Sequence, residues 1–166
     1  MALRTTSRSP LEAGTPDAIR WRNLACALEN ELDNSLPEVP VSWGELIDKI
    51  TILEIKSVRI ASKEAVANVR LELDMLNERS AAMLSAKPDV VALKGQLTEV
   101  NEALWEIEDK IRDKEAASDF GAEFIELARA VYKTNDRRAA IKREINKALQ
   151  SKLIEEKSYA DYASGT

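Results

Sequence analysis

Histidine is absent from this chain, and cysteine occurs once, as Cys26. The first absence excludes histidine-containing zinc sites, the Ser-His-Asp triad and the Cys-His dyad. The second excludes an intrachain disulfide. No metal site and no cofactor is expected. Glycine and proline number five each among 166 residues, so the turn residues that punctuate a multi-stranded protein are scarce. No apolar run reaches the ~20 residues of a membrane-spanning helix. The opening MALRTTSRSPLEAGTP lacks the continuous apolar stretch of a secretory signal. A cytoplasmic location is therefore expected. The net charge of −5 argues against a general nucleic-acid binder, which needs a dominant basic field, but leaves room for a local anion site.

What is abundant points to helices. Charged residues make up 32% and apolar residues 45%, and Ala, Leu, Ile, Glu and Lys recur throughout. The expected fold is all-α: an antiparallel helical bundle of helical hairpins, coiled-coil-like in its seams, with a long or broken first core helix. Residues 1–40 read as a mobile tail followed by a short helix from Thr15 to about residue 34, with Ile19, Leu24, Leu28 and Leu32 on one side. Pro37 and Pro40 end it. The bundle domain spans 41–160, and 161–166 fray. The run Ser42-Trp43-Gly44-Glu45 has capping-box spacing and opens a helix to about Ala61. Ser62 either caps a second helix to about Ala86 or lies within one unbroken helix of about 43 residues, roughly 65 Å long. Lys87-Pro88-Asp89 is a turn. Helices then follow over about 89–116 and 122–150.

Helical periodicity assigns the buried faces. Val90, Leu93, Leu97, Val100, Leu104, Ile107 and Ile111 form one stripe; Phe124, Leu127, Val131, Ile145 and Leu149 form another; Ala65, Val69, Leu73, Leu76 and Met83 form a third. Residues 46–60 differ. Leu46, Ile47, Ile50, Leu53 and Val58 make one stripe, and Ile52, Ile55 and Ile60 fall outside it. A helix apolar nearly all round is covered on more than one side. Either the chain's own termini cover it, or a second copy does through an interface at Ile52, Ile55 and Ile60.

Several polar residues fall inside these stripes: Glu54, Asn101, Glu108, Asn135, Arg138 and Lys142. Buried charges need partners. If 63–86 and 89–116 form a hairpin at Pro88, Glu72 lies level with Asn101. If the next hairpin turns near 119, Asn135 and Arg138 join that level, with Arg138 forked onto Glu72. Such a layer is either a site for a small anionic ligand, built from Arg138, Asn135, Lys142, Asn101 and Glu72, or a register-fixing polar layer of the kind seen in coiled coils. Residues 133–147 carry six bases and two acids, and 99–115 carry seven acids and three bases, which reads as complementary helix pairing rather than an RNA-binding face. Trp43 and Trp105 are expected to anchor packing, and Tyr159 and Tyr162 to dock at the bundle edge.

The strings GELIDKITILEIK (44–56), NVRLEL (68–73), NEALWEIE (101–108), ARAVYKTNDRR (128–138) and EEKSY (155–159) occur together. This combination resembles an uncharacterised bacterial domain family that opens with the first string, over roughly residues 41–160. That resemblance implies no activity, ligand or catalytic residue. The segment LIDKITILEIKSVRI is also similar to the opening helix of all-helical chorismate mutases, which surround a dianionic substrate with Arg and Lys inside a bundle. Arg59 matches an arginine of that pattern, whereas Trp43 and Gly44 stand where another is expected. No catalytic constellation is recognised. The chain reads as a helical interaction or assembly module that pairs with itself or a protein partner, the alternative being a small helical enzyme or anion binder. A water-accessible cavity at Arg138 and Asn135 would favour the alternative. A dry core with an exposed patch near Ile52 and Ile55 would favour assembly.

Overall fold

The computed structural model describes residues 37–156, together with Arg20. The chain divides into two compact units, residues 1–40 and 41–166. The short helix expected over 15–34, Cys26, Tyr159, Tyr162 and the tip 161–166 lie outside the described residues.

The described residues of the second unit form four helices: α1 (Trp43–Arg59), α2 (Lys63–Ala86), α3 (Pro88–Ala116) and α4 (Ala122–Ala148). No strand occurs among the described residues, and no described helix is long and apolar enough to cross a membrane. Each boundary has a local cause. The Ser42 hydroxyl accepts the Glu45 amide at 3.2 Å, the first half of the expected capping box. The choice at Ser62 resolves toward a break. Ile60 leaves α1 with extended backbone, and the Ser62 hydroxyl accepts the Ala65 amide to start α2. Pro88 occupies the first turn of α3, where its missing amide hydrogen costs nothing. The α3–α4 turn closes on Lys114, which reaches Asp119 at 2.8 Å and Glu123 at 2.5 Å.

The central rod is α1, which packs against α2, α3 and α4. Its buried positions, Gly44, Ile47, Asp48, Ile50, Thr51, Leu53 and Ile55, span more than half of the helix circumference at 100° per residue. Much of the two-sided apolar pattern is thus covered by the three following helices. Val58 is a correction: it shares the azimuth of Ile47 but lies in the last turn, where the chain leaves the helix, and is 83% exposed.

The main core joins Ile47 to Val90, Leu97, Val100 and Leu104 of α3 and to Ile141 and Ile145 of α4, with Met83 and Leu84 of α2 packed against it. A second correction concerns the hairpins. α3 and α4 pair extensively, and α2 pairs with α1, with Lys49 and Glu72 2.5 Å apart across that seam. α2 and α3, although joined at Pro88, share the smallest interface of any packed pair. The core also ends early. No residue from 105 to 138 is buried, so the distal halves of α3 and α4 form a two-helix arm sealed by one half-buried seam, with Phe120 and Phe124 edge to face at its tip.

Candidate functional site

Asp48 follows Ile47 on the central helix. It shares the azimuth of Gly44, Thr51 and Ile55, all buried, which carries the carboxylate inside, where the residue is 2% exposed. A buried carboxylate must be paired and hydrogen-bonded. Arg138 of α4 meets it side-on: Nε donates to Oδ1 at 2.9 Å and Nη2 to Oδ2 at 2.5 Å. This two-pronged, charge-assisted geometry fixes orientation as well as energy. From α3, Asn101 Nδ2 donates to Asp48 Oδ1 and to Thr51 Oγ1, both at 2.9 Å. The Thr51 hydroxyl donates to the Asp48 carbonyl at 2.8 Å. Arg138 Nη1 donates to Asn135 Oδ1 at 3.3 Å. The bond to Asp48 holds the Arg138 guanidinium above its ordinary pKa, against the opposing effect of burial.

One turn along α4, Lys142 is 6% exposed and lies between Glu45, Asp48 and Glu155, with Glu155 at 2.8 Å. Burial works against its charge, but the hydrogen bonds to Glu155 and Glu45 outweigh it and raise its pKa. Because the folded value lies above the ordinary 10.5, the stabilisation is complete below pH 10.5 and is lost as pH rises through the folded value. In denaturant titrations, the stability advantage of the wild type over Lys142→Met should be flat from pH 7 to 10 and shrink above that. Beyond Lys142 the layer closes on the backbone: the Gly44 amide donates to Asn146 Oδ1 at 2.7 Å, and the Trp43 amide to Ser151 Oγ at 3.3 Å. Among the described residues, no buried side-chain nitrogen or oxygen lacks a partner.

The layer opens at one end into a cleft of about 480 Å³, within the range of small-molecule sites. Asn101 and Arg138 form its polar end. Ile52 and Ile55 of α1 and Leu104 and Trp105 of α3 supply apolar wall. Lys56, Glu108, Asp109 and Arg112 charge the rest. Arg112 bridges the two carboxylates, at 2.9 Å from Glu108 and 3.7 Å from Asp109. Arg59 does not line the cleft; it pairs with Glu106, and its guanidinium carbon stands 6.0 Å from the Trp105 ring centroid.

Four of the five expected ligand residues, Arg138, Asn135, Asn101 and Lys142, do come together. Glu72 does not, and this is a correction. With α2 set against α1 rather than α3, Glu72 pairs with Lys49 at the surface, and Asp48 takes the place expected for it. Asn135 and Lys142 belong to the layer but not to the cleft lining. Glu108, expected in an apolar arc, is a half-exposed partner of Arg112, because it lies beyond Leu104 on the thinner arm. Glu54 is half-buried and satisfied by Lys94 at 2.6 Å. Ile55, expected at an interface, is 5% exposed within the single chain, and Ile52 and Ile60 are half-buried. The signal for Asp48 was its place one and two turns before Thr51 and Ile55 respectively, on one side of a helix apolar nearly all round.

A family model described as a family of unknown function, DUF6165, covers residues 37–166. The chain belongs to this family. The match contains all four helices and every residue of the layer and cleft. No curated protein matches the chain, and no solved structure matches it.

Proposed function

We propose that this DUF6165 chain is a small helical binding module whose cleft beside Arg138 takes a small organic anion. The observation that carries the reading is Lys56. It stands on an apolar-walled cleft whose other charged side chains are all engaged in ion pairs, Arg112 with Glu108 and Asp109 and Arg138 with Asp48. Lys56 itself has no carboxylate within ion-pairing distance among the described residues. A cation left unpaired beside apolar surface suits an anionic group carried on an apolar body. The ligand residues expected from the sequence take two roles in this reading: Arg138 and Asn101 face the ligand, and Asn135 and Lys142 hold them in place. Isothermal titration with hexanoate, cyclohexanecarboxylate and 2-naphthoate tests it. At least one acid should saturate a single site at millimolar Kd or better, with affinity falling about tenfold or more in Lys56→Glu. No saturable binding, or binding indifferent to Lys56→Glu, would overturn it.

A second reading, pairing with another copy of the chain, is favoured by a different observation. The arm from 105 to 138 buries no residue and leaves Phe120, Ile125 and Tyr132 between 41% and 53% exposed. Two such arms could complete a four-helix bundle. Of the residues expected at an interface, Ile55 is covered within the chain, and Ile52 and Ile60 are half-buried. A wild type that sediments as a monomer at high concentration would remove this second reading.

A further inference from the structure

Resting on the cleft being a ligand site, the chemistry of its walls narrows the class of ligand. We infer that the occupant is a planar aromatic monoacid, its ring against Trp105 and its acid group on Lys56. The ion pairing sets the count of acid groups. Glu108 and Asp109 share Arg112, and Arg138 is forked onto buried Asp48, so Lys56 is the one lining cation with no carboxylate within ion-pairing distance among the described residues. A second anionic group on the ligand would face Glu108 and Asp109 at a cost, because like charges in a partly desolvated cleft repel strongly.

The walls set the shape. α3 contributes the Trp105 indole, and α1 contributes the aliphatic Ile52. Aromatic rings gain from offset or edge contacts with an indole beyond the apolar area they bury, and saturated rings do not. The indole is also backed. Arg59 stands over the ring from outside the lining and is tied to Glu106, so Trp105 is braced by a cation–π contact while it lines the cleft. A wall held before the ligand arrives loses less freedom on binding. The volume of about 480 Å³ suits one ring or two fused rings with a single substituent.

The test compares four probes on the full chain by calorimetry: 2-naphthoate, its saturated analogue decahydronaphthalene-2-carboxylate, the neutral 2-naphthalenemethanol, and naphthalene-2,6-dicarboxylate. The expected order places 2-naphthoate about tenfold or more ahead of each of the others. Trp105→Leu should bring 2-naphthoate down to the saturated acid while leaving the saturated acid unchanged. Trp105→Phe, which keeps a ring and spares the fold, should retain most of the preference. Lys56→Met should weaken both monoacids and leave the alcohol unchanged. If the saturated acid binds as well as 2-naphthoate, or Trp105→Leu leaves their ratio intact, the aromatic assignment is wrong while the cleft reading stands. If none of the probes saturates, both are wrong.

Discussion

Asp48→Ala is expected to cost about 3 kcal/mol of folding stability, read as a fall in the denaturant midpoint at unchanged slope. Removing one partner of a buried ion pair commonly costs about 3–5 kcal/mol, because the other charge is left inside without compensation. Here the lower end applies, for two structural reasons. Arg138 keeps 27% of its side chain exposed and can hydrate through the cleft, and Lys142 retains Glu45 and Glu155. Asn101, in contrast, loses a fixed acceptor on the buried side. The loss is a matter of stranded charge rather than of irreplaceable attraction. The double variant Asp48→Leu, Arg138→Met should therefore recover much of it, since well-packed apolar pairs often match buried ion pairs in stability. A single-variant loss under about 1 kcal/mol would mean that the layer is solvated and the geometry described for it is wrong.

Gly44→Ala is the second large expectation, and its direction runs against helix propensity. Alanine in place of glycine inside a helix ordinarily stabilises by about 0.5–1 kcal/mol. At position 44 the added carbon would sit 2.6 Å from the backbone carbonyl oxygen of Lys142 and 3.1 Å from the Asn146 side-chain amide. A backbone atom cannot rotate away, so α1 must lift off α4, stretching the Gly44–Asn146 bond and the Asp48–Arg138 fork one turn further on. Overpacking of this kind costs about 1–3 kcal/mol. Gly95, on α3, has nothing within 4 Å of the same added carbon. Gly95→Ala should therefore stabilise by about 0.5–1 kcal/mol where Gly44→Ala destabilises. Thermal or denaturant midpoints of the two variants, compared side by side, check the close approach of α1 to α4. Equal effects of the same sign would contradict it.

These two residues show where reading the sequence reached and where it stopped. Local signals carried far: Ser42 as a cap, Ser62 as one of two alternatives, Lys87-Pro88-Asp89 as a turn, and the apolar excess of residues 46–60 as the mark of a helix covered on more than one side. Arg138, Asn101, Asn135 and Lys142 were legible because a charge or amide inside an apolar stripe demands a partner. The identity of that partner was not legible, since it depends on which helices are neighbours. Placing Glu72 opposite Arg138 assumed that α2 and α3, adjacent in sequence, also pack together. In the fold α1 takes that place, and Asp48, 90 residues away in sequence from Arg138, supplies the carboxylate. The cleft was equally hidden. Ile52 and Ile55 lie off the main stripe because they line it, and an off-stripe apolar residue looks the same in sequence whether it faces a second copy, another helix or a cavity.

The function proposed rests on that cleft, and the arm beyond it offers the competing surface. An amide and side-chain NMR titration of the full chain with 2-naphthoate separates the two directly. Shifts should concentrate on the Trp105 indole N–H, the Lys56 backbone and the Arg138 Nε–H. The tip of the arm, from Ala117 to Ile125, should stay silent. Shifts centred instead on Phe120 and Ile125, or none at saturating probe, would contradict a ligand site at the open end of the Asp48–Arg138 layer.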